Sequence, residues 1–147
     1  MRPITIITTL LALATFPMLS AHAQQVPTGR WMTVDDATGK PKGVVEIYQA
    51  RDGSFAGRVA EILDTEHGAN PLCPKCKGAN KDKPVLGMVT LWGLKPDGAG
   101  HWSGGRVLDP ENGKTYKSKL ELLDGGRKLG MSGCIAFLCR QQVWVRK

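Results

Sequence analysis

Signals for chain reversal recur at short intervals along this sequence, and nothing between them sustains an apolar period of 3.6 residues over three turns. The reversals are Asp36-Ala37-Thr38-Gly39, Arg51-Asp52-Gly53, Pro96-Asp97-Gly98, Pro110-Glu111-Asn112-Gly113 and Asp124-Gly125-Gly126. Asp and Asn bond back to the backbone, Pro presets φ, and Gly accepts positive φ, so each cluster favours a turn for its own reason. The intervening runs predict strands near Gly29 to Val34, Gly43 to Ala50, Ser54 to Leu63, Gly87 to Leu94, His101 to Leu108, Lys114 to Leu122, Arg127 to Cys134 and Arg140 to Arg146. Such a chain is all-β. About eight antiparallel strands joined mostly by hairpins leave two open edges unless the sheet closes, so an up-and-down barrel with one long loop is expected, and a sandwich is the alternative.

The hairpin from Trp102 to Tyr116 carries the most chemistry. If alternation runs unbroken, Trp102, Arg106 and Leu108 share one face with Tyr116 and Leu120. A permanent cation among aromatic and aliphatic side chains requires an anionic partner or ligand. Glu46 and Tyr48 share parity with Val44 and could enter the same barrel interior. The ligand-binding candidates are therefore Arg106, Trp102, Tyr116, Glu46 and Tyr48, and the opposing reading is an Arg106 that faces solvent.

Before the first strand, Met1-Arg2 precedes an apolar run from Ile4 to Leu19 and then Ala21-His22-Ala23. A basic start, an apolar centre and a small-x-small site predict a secretory signal peptide over residues 1–23. The run is too short and too interrupted to serve as a transmembrane segment. Residues 24–147 then form a single β-barrel domain, periplasmic or secreted. The net charge of +7 includes Arg2, so the mature chain carries +6. Its basic residues are spread out, with a loose cluster at Lys75, Lys77, Lys81 and Lys83, and lack the basic stripe with stacking aromatics that nucleic-acid binding needs.

Four cysteines in an exported chain predict two disulfides. Cys134 and Cys139 close a short loop between two expected strands, which can set them opposite each other, and Cys73 pairs with Cys76. The latter pair lies in a connection from about Asp64 to Val85 with no period of its own. A thioredoxin-like pair would need a βαβ setting that is not visible, and a zinc site, with or without His67, is disfavoured by the oxidising compartment. No metal site is expected.

Taken together, Gly29-Arg30-Trp31, Asp35-Asp36-Ala37-Thr38-Gly39-Lys40, Cys73-Pro74-Lys75-Cys76, Gly87-Met88, Trp102-Ser103-Gly104-Gly105, Asp109-Pro110-Glu111-Asn112-Gly113-Lys114-Thr115-Tyr116 and Trp144-Val145-Arg146 resemble the bacterial DUF2147 family. The resemblance spans about Pro27 to Lys147 and implies an exported, lipocalin-like barrel of unassigned role. The Gly29-x-Trp31 start also resembles the lipocalin pattern, which implies that Trp31 packs under Arg140 or Arg146 at the barrel base. Trp31, Arg140, Trp144 and Arg146 are accordingly expected to be structural.

No catalytic residue is expected. Asp35 and Asp36 point to opposite faces if extended and read better as turn-formers, while His67 and His101 have no nucleophile or orienting acid in recognisable context. The leading expectation is a non-catalytic barrel, without cofactor, that binds a small hydrophobic or amphipathic ligand, anionic if Arg106 takes part. The alternatives are an envelope scaffold with a packed interior and a protein partner, or a thiol redox or hydrolytic enzyme.

Overall fold

The computed structural model describes residues 25–147. The expected signal peptide and its cleavage site at Ala23 lie outside the described residues. Eight strands follow one another: β1 Gly29–Val34, β2 Pro41–Gln49, β3 Phe55–Ile62, β4 Val89–Pro96, β5 His101–Asp109, β6 Lys114–Leu123, β7 Lys128–Ile135 and β8 Leu138–Arg146. Each pairs antiparallel with the next, and β1 pairs with β8 through Trp31↔Arg146 and Met32↔Val145, which closes the barrel. The barrel therefore replaces the sandwich alternative. The terminal strand starts two residues earlier than expected, because Cys134↔Cys139 and Ile135↔Leu138 continue the ladder around the disulfide.

Up-and-down topology sorts the connections. The β1–β2, β3–β4, β5–β6 and β7–β8 links meet at one end, and the other three links lie at the opposite end with the start of β1 and the end of β8. Inside, Trp31, Ile47, Leu91, Trp102, Leu129 and Trp144 belong to one contiguous buried cluster. Trp102 meets Phe55 edge-to-face with ring centroids 5.9 Å apart. Burial of this many large apolar side chains is the dominant stabilising term, since a fully buried one contributes roughly 1.5–3 kcal/mol. Ser118 is the exception within the wall: its hydroxyl is buried without a hydrogen-bond partner among the described residues.

The long β3–β4 connection is organised by its own small core. Cys73, Cys76 and Met88 cluster with Leu108 of β5, and Val85 packs against them. An isolated bridge Leu72↔Pro84 and a single 3-10 turn at Gly78–Asn80 order the rest. Gly113 explains how closely this connection sits on the β5–β6 turn. A Cβ there would lie 1.9 Å from the Lys75 carbonyl oxygen, and its φ of 70° belongs to the left-handed region that favours glycine.

Candidate functional site at the open end of the barrel

The two ends use their charged residues differently. At the end holding the chain's first strand start, the Arg146 guanidinium lies 4.1 Å from the centroid of the Trp31 ring. It donates to the Thr28 carbonyl at 3.0 Å and the Gly126 carbonyl at 2.8 Å, while the Trp31 indole donates to the Pro27 carbonyl at 2.8 Å. Of the two expected partners for Trp31, Arg146 is the one used. Arg140 instead pairs with Asp36 at 2.7 Å, tying β8 to the β1–β2 turn. A cleft of about 300 Å³ opens beside Arg146, which gives two of its N–H groups to the carbonyls and is the single cation lining it among the described residues.

The opposite end, where the β1–β2, β3–β4, β5–β6 and β7–β8 links meet, is open only as a larger groove, about 730 Å³, between the β5–β6 hairpin, the Cys73–Cys76 loop and the β7–β8 turn. Among the described residues its cations are Lys75, Lys77, Arg106, Lys114 and Lys117, and no Asp or Glu lines it. Register explains the convergence, because Trp92↔Arg106, Arg106↔Lys117 and Lys117↔Cys134 are successive cross-strand partners on β4 to β7. They form one row across the barrel wall. Partners directly opposite on a face approach within roughly 4.5–5.5 Å at Cβ, so one aromatic and two cations share a short strip. Among the described residues, none of Lys75, Lys77, Lys114, Lys117 or Arg106 takes part in an ion pair.

The turn beneath the groove is held by its own polar atoms. Asp109 accepts from the Glu111 amide at 2.9 Å and the Asn112 side-chain amide at 2.8 Å, and Gly113 donates to the Asp109 carbonyl at 2.8 Å. Asn112 also donates to the Tyr116 hydroxyl at 3.0 Å, which fixes that ring at the groove.

Not every expected site residue comes here. Arg106 and Tyr116 line the groove, but Trp102 is a core residue. The expectation that Trp102 and Arg106 share a face fails because β5 bulges: Trp102 faces Leu120, yet Gly105 faces Ser118, leaving one extra residue on β5. Gly104, at a φ of 74°, sits in that bulge and shifts parity, so Trp102 points inward and Arg106 lies exposed on the wall. Glu46 and Tyr48 are likewise away from the interior. Glu46 pairs with Arg58 at 2.8 Å, and the same guanidinium lies 5.6 Å from the Tyr48 ring centroid.

Both expected disulfides are formed, Cys73–Cys76 and Cys134–Cys139. Each borders the groove, one through Lys75 and Lys77, the other through Ile135 and Ala136. Sequence reasoning saw Lys75 and Lys77 only as part of a loose cluster and missed Trp92, Lys114 and Lys117, whose relation to Arg106 appears only once the register is known.

Residues 29–146 match the bacterial family described as "Uncharacterized protein conserved in bacteria (DUF2147)". The chain belongs to that family. Among solved structures, protein HP1028 from the human pathogen Helicobacter pylori, described as belonging to the lipocalin family, is similar with a TM-score of 0.71. The two are 17% identical, and the match covers 83% of each chain. A likeness at that identity shows the fold, so this DUF2147 chain is a lipocalin-like barrel. No curated protein matches it. Disulfides of this kind fit an oxidising environment outside the cytoplasm, and among the described residues no helix is long and apolar enough to cross a membrane.

Proposed function

We propose that this protein is an exported, non-catalytic carrier that takes a small anionic amphipathic molecule into the groove at the open end of its barrel. The observation that carries the reading is a groove wall with, among the described residues, five cations and no carboxylate, flanked by Trp92, Tyr116 and Ile135. The cations supply charge-assisted hydrogen bonds to a carboxylate or phosphate head, and the aromatic and aliphatic surface receives its tail. Export rests on the signal-like first residues and the two disulfides. A lipocalin-like fold is in keeping with ligand binding in general. The contiguous packing of Trp31, Trp102 and Trp144 favours a site on the wall over one in the barrel centre.

That same packing is what an envelope scaffold would show, so the test separates the two. Dodecyl phosphate and dodecanol, each kept below aggregation, are titrated into the protein by calorimetry. The carrier binds the phosphate saturably, prefers it to the alcohol, and loses about tenfold or more in affinity in the Arg106→Gln/Lys117→Gln variant through lost charge-assisted bonds. A scaffold binds neither. Equal binding of both amphiphiles, unaffected by the variant, would place any ligand elsewhere.

A further inference from the structure

The three most exposed large hydrophobic side chains of the described residues are neighbours. Ile135, Phe137 and Leu138 are 67%, 89% and 69% exposed, and all belong to the β7–β8 turn. A two-residue hairpin turn ordinarily carries Asn-Gly or Asp-Gly, whose backbones accept positive φ. Here the central residues are Ala136 and Phe137, with Ala136 held at a φ of 52°. The fold does not need Phe137 for packing, and the turn residue choice does not favour its own conformation. The Cys134–Cys139 disulfide joins directly opposed residues and fixes the tip before any partner is met.

The surroundings of this tip select the partner. Ile135 and Ala136 line the groove that also holds Lys75, Lys77, Lys114 and Lys117, none of them ion-paired among the described residues. Carboxylates at this end are mostly engaged: Asp36 with Arg140, Glu111 with Lys42, Asp82 with Lys81, and Asp35, Asp64 and Asp109 within their own turns, leaving Glu66 on the long connection. A narrow apolar tip beside free lysines is small for a stable protein interface, which buries about 800 Å² on each partner. An anionic bilayer asks for less, a shallow apolar insertion with cations at headgroup level.

We infer that the open end docks on an anionic lipid surface, with Phe137 and Leu138 entering the acyl boundary and the groove lysines meeting the headgroups. This deepens the carrier reading by naming where an anionic amphiphile would be met, but the docking stands on the tip and the lysines alone.

Cosedimentation with vesicles tests it, using phosphatidylcholine alone and phosphatidylcholine with one part in four phosphatidylglycerol. The mature protein is expected to pellet with the mixed vesicles and stay in solution with the neutral ones, and to be released as salt rises. Phe137→Ser/Leu138→Ser, which alters only exposed side chains and should keep the native circular dichroism, is expected to lose about tenfold or more in partitioning through lost apolar insertion while binding dodecyl phosphate as before. No pelleting by the wild type, or equal pelleting of the tip variant, would overturn the docking. So would a tip-dependent dimer in sedimentation equilibrium, which would make a second copy the partner. Loss of dodecyl phosphate binding in both proteins with vesicle binding intact would refute the carrier reading alone.

Discussion

Two Arg–Trp pairs, one at each end of the barrel, have opposite fates. At the base, Arg146 lies over a fully buried Trp31 and gives two of its five N–H groups to backbone carbonyls, which ties it into the fold. Toward the open end, Arg106 pairs in register with Trp92, which is 37% exposed, and the guanidinium faces a groove with four lysines. The same two residue types are a clasp in one place and a surface in the other. What differs is whether neighbouring backbone supplies acceptors, and this makes the base an element of stability and the open end a place for an external anion.

The sharpest way to break this contrast is to truncate both tryptophans. Trp31→Ala removes a core ring and its bond to Pro27, and should cost about 3–5 kcal/mol in urea unfolding. Trp92→Ala should cost about 1 kcal/mol or less, as a partly exposed side chain does. Comparable losses would erase the distinction.

Gly113→Ala probes the open end by itself. Its Cβ would collide with Lys75 backbone at an unfavourable φ, so a loss of about 2–3 kcal/mol is expected. Hydrogen exchange should rise in the Cys73–Cys76 loop and the β5–β6 turn and stay unchanged around Trp31.

A smaller effect separates the arginines. Arg146→Leu should destabilise by about 1–2 kcal/mol, from the lost cation–π contact and the carbonyl bonds. Arg106→Leu should leave stability within about 0.5 kcal/mol. If Arg106→Leu proved as destabilising as Arg146→Leu, the open-end arginine would be structural too.

The smallest effect is on pH dependence. Glu61 is held below its usual 4.5, chiefly by the hydrogen bond from Lys147 and further by Arg30. Asp35 is lowered by the Thr38 hydroxyl and amide. A carboxylate lowered in the folded state stabilises fully above its unfolded value and loses that contribution as pH falls through the folded one. Stability should therefore decline below about pH 4.5, and Glu61→Gln should flatten part of that limb in acid-titrated circular dichroism.

Much of the fold was legible because its signals are local. Turn residues at short intervals marked the hairpins, and cysteine spacing marked both disulfides. The closing Trp31–Arg146 contact was foreshadowed only with Arg140 as an equal choice. The site was less legible because it depends on register. Alternation placed Arg106 with Trp102, and one extra residue around Gly104 undid it. Parity along β2 placed Glu46 in the barrel interior, but its partner Arg58 lies across the β2–β3 ladder. The row Trp92, Arg106 and Lys117 joins three strands, and no single stretch of sequence contains it. The apolar tip was read as a loop closed by a disulfide, with nothing to say that Phe137 would stay outside.

The four tryptophans report separately on the groove and on the barrel interior. Trp31, Trp102 and Trp144 are buried in the barrel, and only Trp92 lines the groove. Nuclear magnetic resonance resolves one indole N–H signal for each. On titration with dodecyl phosphate, the Trp92 signal is expected to shift saturably and to stay put in Arg106→Gln/Lys117→Gln, with the other three signals unmoved in both proteins. Shifts of Trp102 and Trp144 with Trp92 unchanged would put the ligand in the barrel interior and contradict a groove site.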